Sequence, residues 1–511
     1  MEPSASTPGM AVPSEPAASA TPPAEPRRLA INFLFLSGGE FTAKLLTFAS
    51  FTYLARVLGP LDYGSVEFTL AVMVFFTLLA DLGLGIYGAR EVARHPDRAS
   101  RLLHEITGLR VALTLCSMLG LGIFVLAIHK SLELKILLAL YGVSLLAGPF
   151  LLQWLFQGYD QMHWVAITSI VRQAGFAGLV FAMCRRGSPL LYIGVIECVS
   201  VAGTAGFCLY VARHKMGFAW PWPDLHVIRL LGHIREAAPI GLTELAWAFM
   251  WYFCTVLLGF IFPDRSLGWF GASHRALMAL HTFVYLYFFN LLPSISRCAD
   301  LPNKYLLELM DRSVRFAAWT GLFSATLLTA LAPQLMTLMY GSPFRPASHS
   351  FSILVWILPV TMLSGHHRYI LIAYNHQNTL LRCTAYSAAV AVLLGFALVP
   401  FYRGQGAAWA LLVAVVINFV LVYISVRQLV VEVPVHRQLA TPLTALAVSV
   451  ILYLVLARWN VGVALAASAA VYMAGMVRSD GPRLASFLLT IVRKPSPRTE
   501  PVSPVFPPNA R

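Results

Sequence analysis

Charged side chains stand inside long apolar runs, where a lipid bilayer makes them costly, and their types and spacing define the chemistry open to this chain. Glu40 and Lys44 lie four residues apart in the apolar run 31–57. On a helix they share one face, which Ser37 and Thr47 continue. Two readings fit: a neutralised ion pair between helices, or the wall of a hydrated cavity in which Glu40 tunes Lys44. A stripe of four polar residues needs water or polar partners along its whole length, which favours the wall. The other deep cations are Arg172 and Arg275, the latter followed by His281 and Tyr285 on a polar-aromatic face that starts at His274. A guanidinium offers paired donors that match phosphate oxygens, so Arg275 in a lipid-embedded cavity suits a diphosphate. Near a helix end an Arg can instead snorkel to the surface. For Arg368 both readings are open, and His366 and His367 beside it read as interfacial. Asp81, Glu197 and Glu244 are acids in apolar runs. A buried carboxyl can exchange protons near neutral pH, or it can simply bond a neighbouring helix. Glu244 shares a face with Trp247 and Trp251, which stack on sugar rings or merely pack.

The elements that must hold these groups follow from composition. Of 511 residues 58% are hydrophobic and 12% charged, and the mean hydropathy is +0.70. A soluble globular chain carries about 25% charged residues. The fold class is therefore all-α, a polytopic membrane protein, since the apolar runs are long and continuous rather than short and alternating. The net charge of +14 reads as the Lys/Arg excess that orients membrane proteins, not as a nucleic-acid footprint. The seven Cys fall in or beside apolar runs without metal-site or disulfide spacing, so they read as small apolar fillers, and no metal site is expected.

Fourteen spans are expected: 31–57, 64–88, 106–128, 134–157, 163–184, 188–212, 236–262, 268–296, 314–340, 349–374, 381–400, 404–426, 438–457 and 460–477. Most of the 37 Lys and Arg fall in the tails and in alternate loops, such as Arg90/Arg94/Arg98/Arg101 and Arg297/Lys304/Arg312. That bias puts both termini in the cytoplasm. Residues 1–30 and 478–511 read as disordered tails, rich in Pro and small or basic residues. Between them lie an N-lobe (31–212), a cytoplasmic linker (213–235), a C-lobe (236–430) and two further spans (431–477). Pro149, Pro239, Pro293, Pro333 and Pro359 are candidate kinks.

Short repeats support two parallel six-helix lobes. Leu61-Asp62-Tyr63-Gly64-Ser65 enters span two as Gly268-Trp269-Phe270-Gly271-Ala272 enters span eight, and Gln157-Gly158-Tyr159-Asp160-Gln161 matches Ala373-Tyr374-Asn375-His376-Gln377 after span ten. Six spans separate the copies, so both point the same way, one of the known designs of secondary transporters. The turn Leu58-Gly59-Pro60-Leu61-Asp62-Tyr63-Gly64, the exit Gly88–Arg94, the entry at Gly268–Arg275 and the segment Val399–Trp409 resemble bacterial polysaccharide (O-antigen, Wzx-like) flippases over residues 30 to 430. The resemblance implies two lobes around a central cavity and outward movement of polyprenyl-diphosphate-linked oligosaccharide, with membrane lipids and possible relations to a polysaccharide polymerase and chain-length regulator as partners.

A flippase for surface polysaccharide units is thus the leading expectation, without enzymatic chemistry and with no cofactor beyond H+ or Na+ as candidate coupling ions. The cavity cations would be Lys44, Arg275, Arg172 and Arg368, and the coupling or cavity polar groups Glu40, Asp81, Glu244 and His281. A peptidoglycan-precursor flippase or cation-coupled drug exporter is the alternative cargo, although an exporter of organic cations should carry an acidic cavity. A polysaccharide polymerase or ligase needs a long outer loop for its site, and every outer loop expected here is short. No phosphate-binding Gly-rich loop appears, which argues against an ATP-driven pump in one chain.

Overall fold

The computed structural model describes residues 26–223, 227–299 and 301–492, and they are helical throughout, without a strand. The first half holds α1 (Pro26–Asp81), α2 (Leu84–Arg94), α3 (Ala99–Ala127), α4 (Leu132–Ser144), α5 (Gln153–Gly158), α6 (Met162–Met183) and α7 (Leu191–His214). The second holds α8 (Val227–Ile261), α9 (Arg265–Cys298), α10 (Asn303–Ala330), α11 (Ala332–Tyr340), α12 (Ala347–Leu354), α13 (Ile357–Ala373) and α14 (Gln377–Leu429). Two more, α15 (Val435–Leu456) and α16 (Val461–Val492), follow. Of the expected tail 1–30, residues 1–25 lie outside the described residues, and 26–30 already form the first turn of α1.

Among the described residues, eleven helices are long and apolar enough to cross a membrane, and the pair α10 and α11, bent by 72° just before Pro333, makes a twelfth. The expected fourteen require α1 and α14 each to cross twice. Both are long enough, at 56 and 53 residues, and both break mid-course. In α1 the break is Gly59, whose φ of 75° only glycine adopts freely, followed by Pro60, which has no amide proton to donate. In α14 it is Arg403 at φ 49°, held there by an ion pair to Asp264 (3.3 Å) and by the Phe262 ring beneath its guanidinium.

Each half packs mainly on itself: α3 and α6 lie on α1, and α8 and α13 lie on α14. The halves meet where α1 touches α8 and α9. The internal repeat is visible in the backbone. Asp160 and Asn375 take the same left-handed conformation (φ 57° and 60°), which short polar side chains tolerate best. Around them Gln161 N donates to Phe156 O and His376 N to Leu371 O, both at 2.8 Å.

Helix α8 changes allegiance along its length. Its first turns dock on the first half: His233 bonds Tyr87 Oη (2.8 Å) and Glu105 Oε2 (3.1 Å), Glu236 pairs with Arg90 (3.6 Å), and Ala237 is buried. Pro239 then frees a carbonyl, and the rest of the helix packs on α14. His233→Ala takes the imidazole from Tyr87 Oη and one of its partners from Glu105, which keeps Arg101 at 2.8 Å, a loss of about 1–3 kcal/mol. Faster amide exchange over residues 227–238, with residues 245–258 unchanged, is the expected result.

The C-terminal end departs from expectation. A tail was expected from Arg478, yet α16 continues to Val492, and residues 493–511 lie outside the described part. Asp480 explains the difference. Its carboxylate, 3% exposed, accepts from Trp319 Nε1 (2.9 Å), Arg315 Nη1 (3.4 Å) and Thr441 Oγ1 (3.4 Å). A basic, proline-bearing stretch thereby stays helical against α10 and α15.

Candidate functional site

Spans one, five and six build a small polar cavity of about 100 Å³ inside the first half, lined by Glu40, Lys44, Thr47, Ser169, Arg172 and Thr204 among others. The four-residue spacing of α1 puts Glu40 and Lys44 on the same wall. Ser169 Oγ donates to Glu40 Oε1 (2.9 Å), and Gln153 Nε2 donates to Thr168 Oγ1 (3.0 Å) and Ser169 Oγ (3.4 Å). Arg172 Nη2 pairs with Glu197 Oε1 at 3.0 Å, yet its side chain stays 41% exposed along the cavity. Lys44 is exposed and, among the described residues, has no ion-pair or hydrogen-bond partner; Glu40 is bonded to Ser169 and does not reach it. The side chain of Ser37 lies outside the described residues. One uncommitted ammonium beside a guanidinium with free edges is a site for an anion, and the surrounding hydroxyls and amides suit neutral hydrogen-bonding groups such as sugar hydroxyls.

The other expected site residues lie elsewhere. Arg275 is not an open cavity cation. Its Nε and Nη2 clasp both oxygens of Glu67 at 2.6 and 3.0 Å, and its guanidinium lies 3.6 Å from the centre of the Phe51 ring. Its charge is spent on a carboxylate brought from α1 to α9. Asp81 is likewise committed, to Arg110 and to the Gly85 amide (3.3 Å) in the first turn of α2, although its side chain stays partly exposed. His281 packs edge-on to Trp251, with ring centres 5.3 Å apart, and Trp247 lies 5.6 Å from Trp251. Arg368 is exposed without an ion-pair partner among the described residues. His366 and His367 are buried, not interfacial, and His366 bonds Tyr287 Oη (3.1 Å). Glu244 is half-buried and has no hydrogen-bond or ion-pair partner among the described residues.

Sequence reasoning missed Glu67, Arg56 and Lys130 as contributors. Glu67 sits in the same apolar run as Asp81 and could have been flagged on that ground. Arg56 Nε donates to Met339 O (2.7 Å) and its Nη2 to Leu338 O. Lys130 Nζ donates to Gly259 O (2.8 Å) and Phe260 O (3.2 Å), and its burial lowers its pKa from the ordinary lysine value.

Span-length helices enclosing a charged polar cavity define a multi-pass α-helical membrane protein of transporter architecture. The family model described as "Polysaccharide biosynthesis protein" matches residues 29–299, more than half of the chain, and the chain belongs to that family. It is 21% identical over 393 residues to the "Putative O-antigen transporter" of Escherichia coli (strain K12), covering 76% of this chain and 93% of that one. Its fold is shared with the lipid II flippase MurJ in an inward closed conformation (TM-score 0.69, 15% identity, 88% of this chain and 99% of that chain). It is also shared with a multidrug resistance MATE family transporter of the MOP superfamily in an inward-facing conformation (TM-score 0.62, 14% identity, 76% and 94%).

Proposed function

We propose that this protein flips lipid-linked oligosaccharide units across the bacterial plasma membrane for surface polysaccharide synthesis, by alternating access and with both termini in the cytoplasm. The observation that carries the reading is the uncommitted ammonium of Lys44, beside Arg172, in a polar cavity enclosed by lipid-length helices. The family and the E. coli relative support the cargo class. A polyprenyl diphosphate brings anionic oxygens to Lys44 and Arg172, sugar hydroxyls to Thr47, Gln153, Ser169 and Thr204, and leaves its hydrocarbon tail in lipid. Flipped units would pass to a polymerase and chain-length regulator. Asp81 and Glu197 are engaged by arginines. Glu244 is therefore the carboxylate assigned here to coupling with H+ or Na+.

The test is export of surface polysaccharide in a strain deleted for its own copy and complemented with variants of this chain. Lys44→Glu places a second anion beside Glu40 and is expected to cut export at least tenfold at unchanged membrane abundance, while Lys44→Arg retains most of it. Export by Lys44→Glu equal to wild type removes the cavity from the mechanism. Restoration of peptidoglycan-precursor flipping, without any effect on surface polysaccharide, would shift the cargo to that class. Glu244→Gln is expected to keep binding of the lipid-linked sugar and lose stimulation by an ion gradient in proteoliposomes.

A further inference from the structure

The contacts between the two halves differ in chemistry at the two ends of the bundle. At the end away from the N-terminus, where α1 breaks at Gly59, three cationic side chains cross the seam. Arg275 of α9 clasps Glu67 of α1, Arg56 of α1 reaches the carbonyls of Leu338 and Met339, and Lys130 reaches those of Gly259 and Phe260. Those four carbonyls end α11 and α8, where helices leave carbonyls without an intrahelical partner. At the other end α1 and the turn after it meet the second half through apolar and backbone packing, Phe41 against Phe283 (5.9 Å) and Leu82-Gly83 against Ala237 and Gly241, while the polar contacts there, Arg90–Glu236 (3.6 Å) and Glu105–His233 (3.1 Å), join α2 and α3 to the first turns of α8.

We propose that Glu67, Arg275, Arg56 and Lys130 form a reversible charge lock that keeps this far end shut, and that releasing it is the step that exposes the cavity to the other side of the membrane. Two features make it a lock rather than fixed core packing. Every partner it uses is a charge or a helix-end carbonyl, so water can satisfy each one when the halves part. The backbone at its centre meets closely through glycines, Gly64 against Gly268 and Gly268 against Pro60, and the ring pairs Tyr63–Phe344 (5.8 Å) and Phe68–Phe260 (5.4 Å) are the apolar contacts that must part with it. The Glu67–Arg275 pair is buried, with side chains 6% and 20% exposed, so the two charges hold each other tightly only while the seam is dry. The lock rests on the alternating-access reading above but not on the cargo.

The test is amide hydrogen exchange of the full chain in lipid nanodiscs, wild type against Glu67→Gln. Unlocking is expected to speed exchange at least tenfold over residues 58–68 and 264–276, while the opposite end, residues 38–47 and 278–288, becomes slower as it closes. Arg56→Gln and Lys130→Gln, each removing the cation that bridges two carbonyls, are expected to shift the same segments in the same directions by smaller factors, and they keep the test alive should Glu67→Gln fail to fold. Unchanged exchange in these variants, or acceleration at both ends together, overturns the lock, because a merely structural ion pair would loosen the whole molecule. Reciprocal exchange in a protein that exports no polysaccharide would keep the lock and discard the cargo.

Discussion

Gly268→Ala is expected to cut export tenfold or more without preventing insertion into the membrane. A Cβ at residue 268 would land on the backbone of Pro60, against its carbonyl oxygen, with its carbonyl carbon at 2.8 Å and its Cα at 3.1 Å. Backbone cannot rotate away as the end of a side chain can, so α1 and α9 must separate. Overpacking of this kind costs about 1–3 kcal/mol, which displaces an equilibrium between two states by roughly 5–150-fold. The penalty falls on the state with the far end closed, which in the proposed alternating-access cycle is the state that loads cargo. Apparent affinity for a ligand falls with the fraction of protein able to bind it. Loss of export, together with faster exchange over residues 58–68, is the combined result expected. Gly122→Ala, where the added Cβ would meet nothing within 4 Å, serves as the control and should export normally.

What could be read from the sequence was what depends on neighbours along the chain. Glu40 and Lys44 share a wall because four residues make about one helical turn, and that relation holds whatever the rest of the protein does. The left-handed turns at Asp160 and Asn375 were legible as repeated short motifs for the same reason. Arg275 was legible as a buried cation but not in its role. Its partner Glu67 stands 208 residues away, and no periodicity encodes which carboxylate a distant helix will bring to it. Left unpaired, a guanidinium in lipid reads as a ligand for an anion; paired, it becomes a bond between two halves of the chain. The same applies to Asp81, whose partner Arg110 comes from α3, and to Arg172, held by Glu197 of the next helix but still open to the cavity. Helix continuity was the weaker inference for a related reason. Gly59-Pro60 marks a break in any context, whereas the bend before Pro333 and the persistence of α16 past Arg478 depend on what packs beside them.

Asp480→Ala is expected to release the C-terminal helix pair and lower the thermal stability of the purified protein more than any other single change in the second half. Asp480 is the anion that answers Arg315, which is only 13% exposed, and it also accepts the indole proton of Trp319, a residue 1% exposed. A buried charge stripped of its sole partner loses about 3–5 kcal/mol, and Arg315, which keeps one carboxylate, is expected to lose less. Asp311 limits the damage, since it lies 3.1 Å from Arg315, but its side chain is 40% exposed and its charge is weakened by solvent. The comparison that isolates the charge effect is Asp480→Leu combined with Arg315→Met. Replacing both ends of a buried pair by apolar groups of similar volume is often close to neutral, so the double variant should recover most of the lost stability. The measurement is the unfolding midpoint in detergent together with trypsin cleavage at Arg478 and Arg483, rapid in Asp480→Ala and slow in wild type and in the double variant. If the double variant is cleaved as fast as Asp480→Ala, the helix is held by the hydrogen bonds to Trp319 and Thr441 rather than by the charge. A buried acid would then matter here as an acceptor, and α15 and α16 would owe their position to Trp319, whose ring also packs on Tyr472 at 5.0 Å.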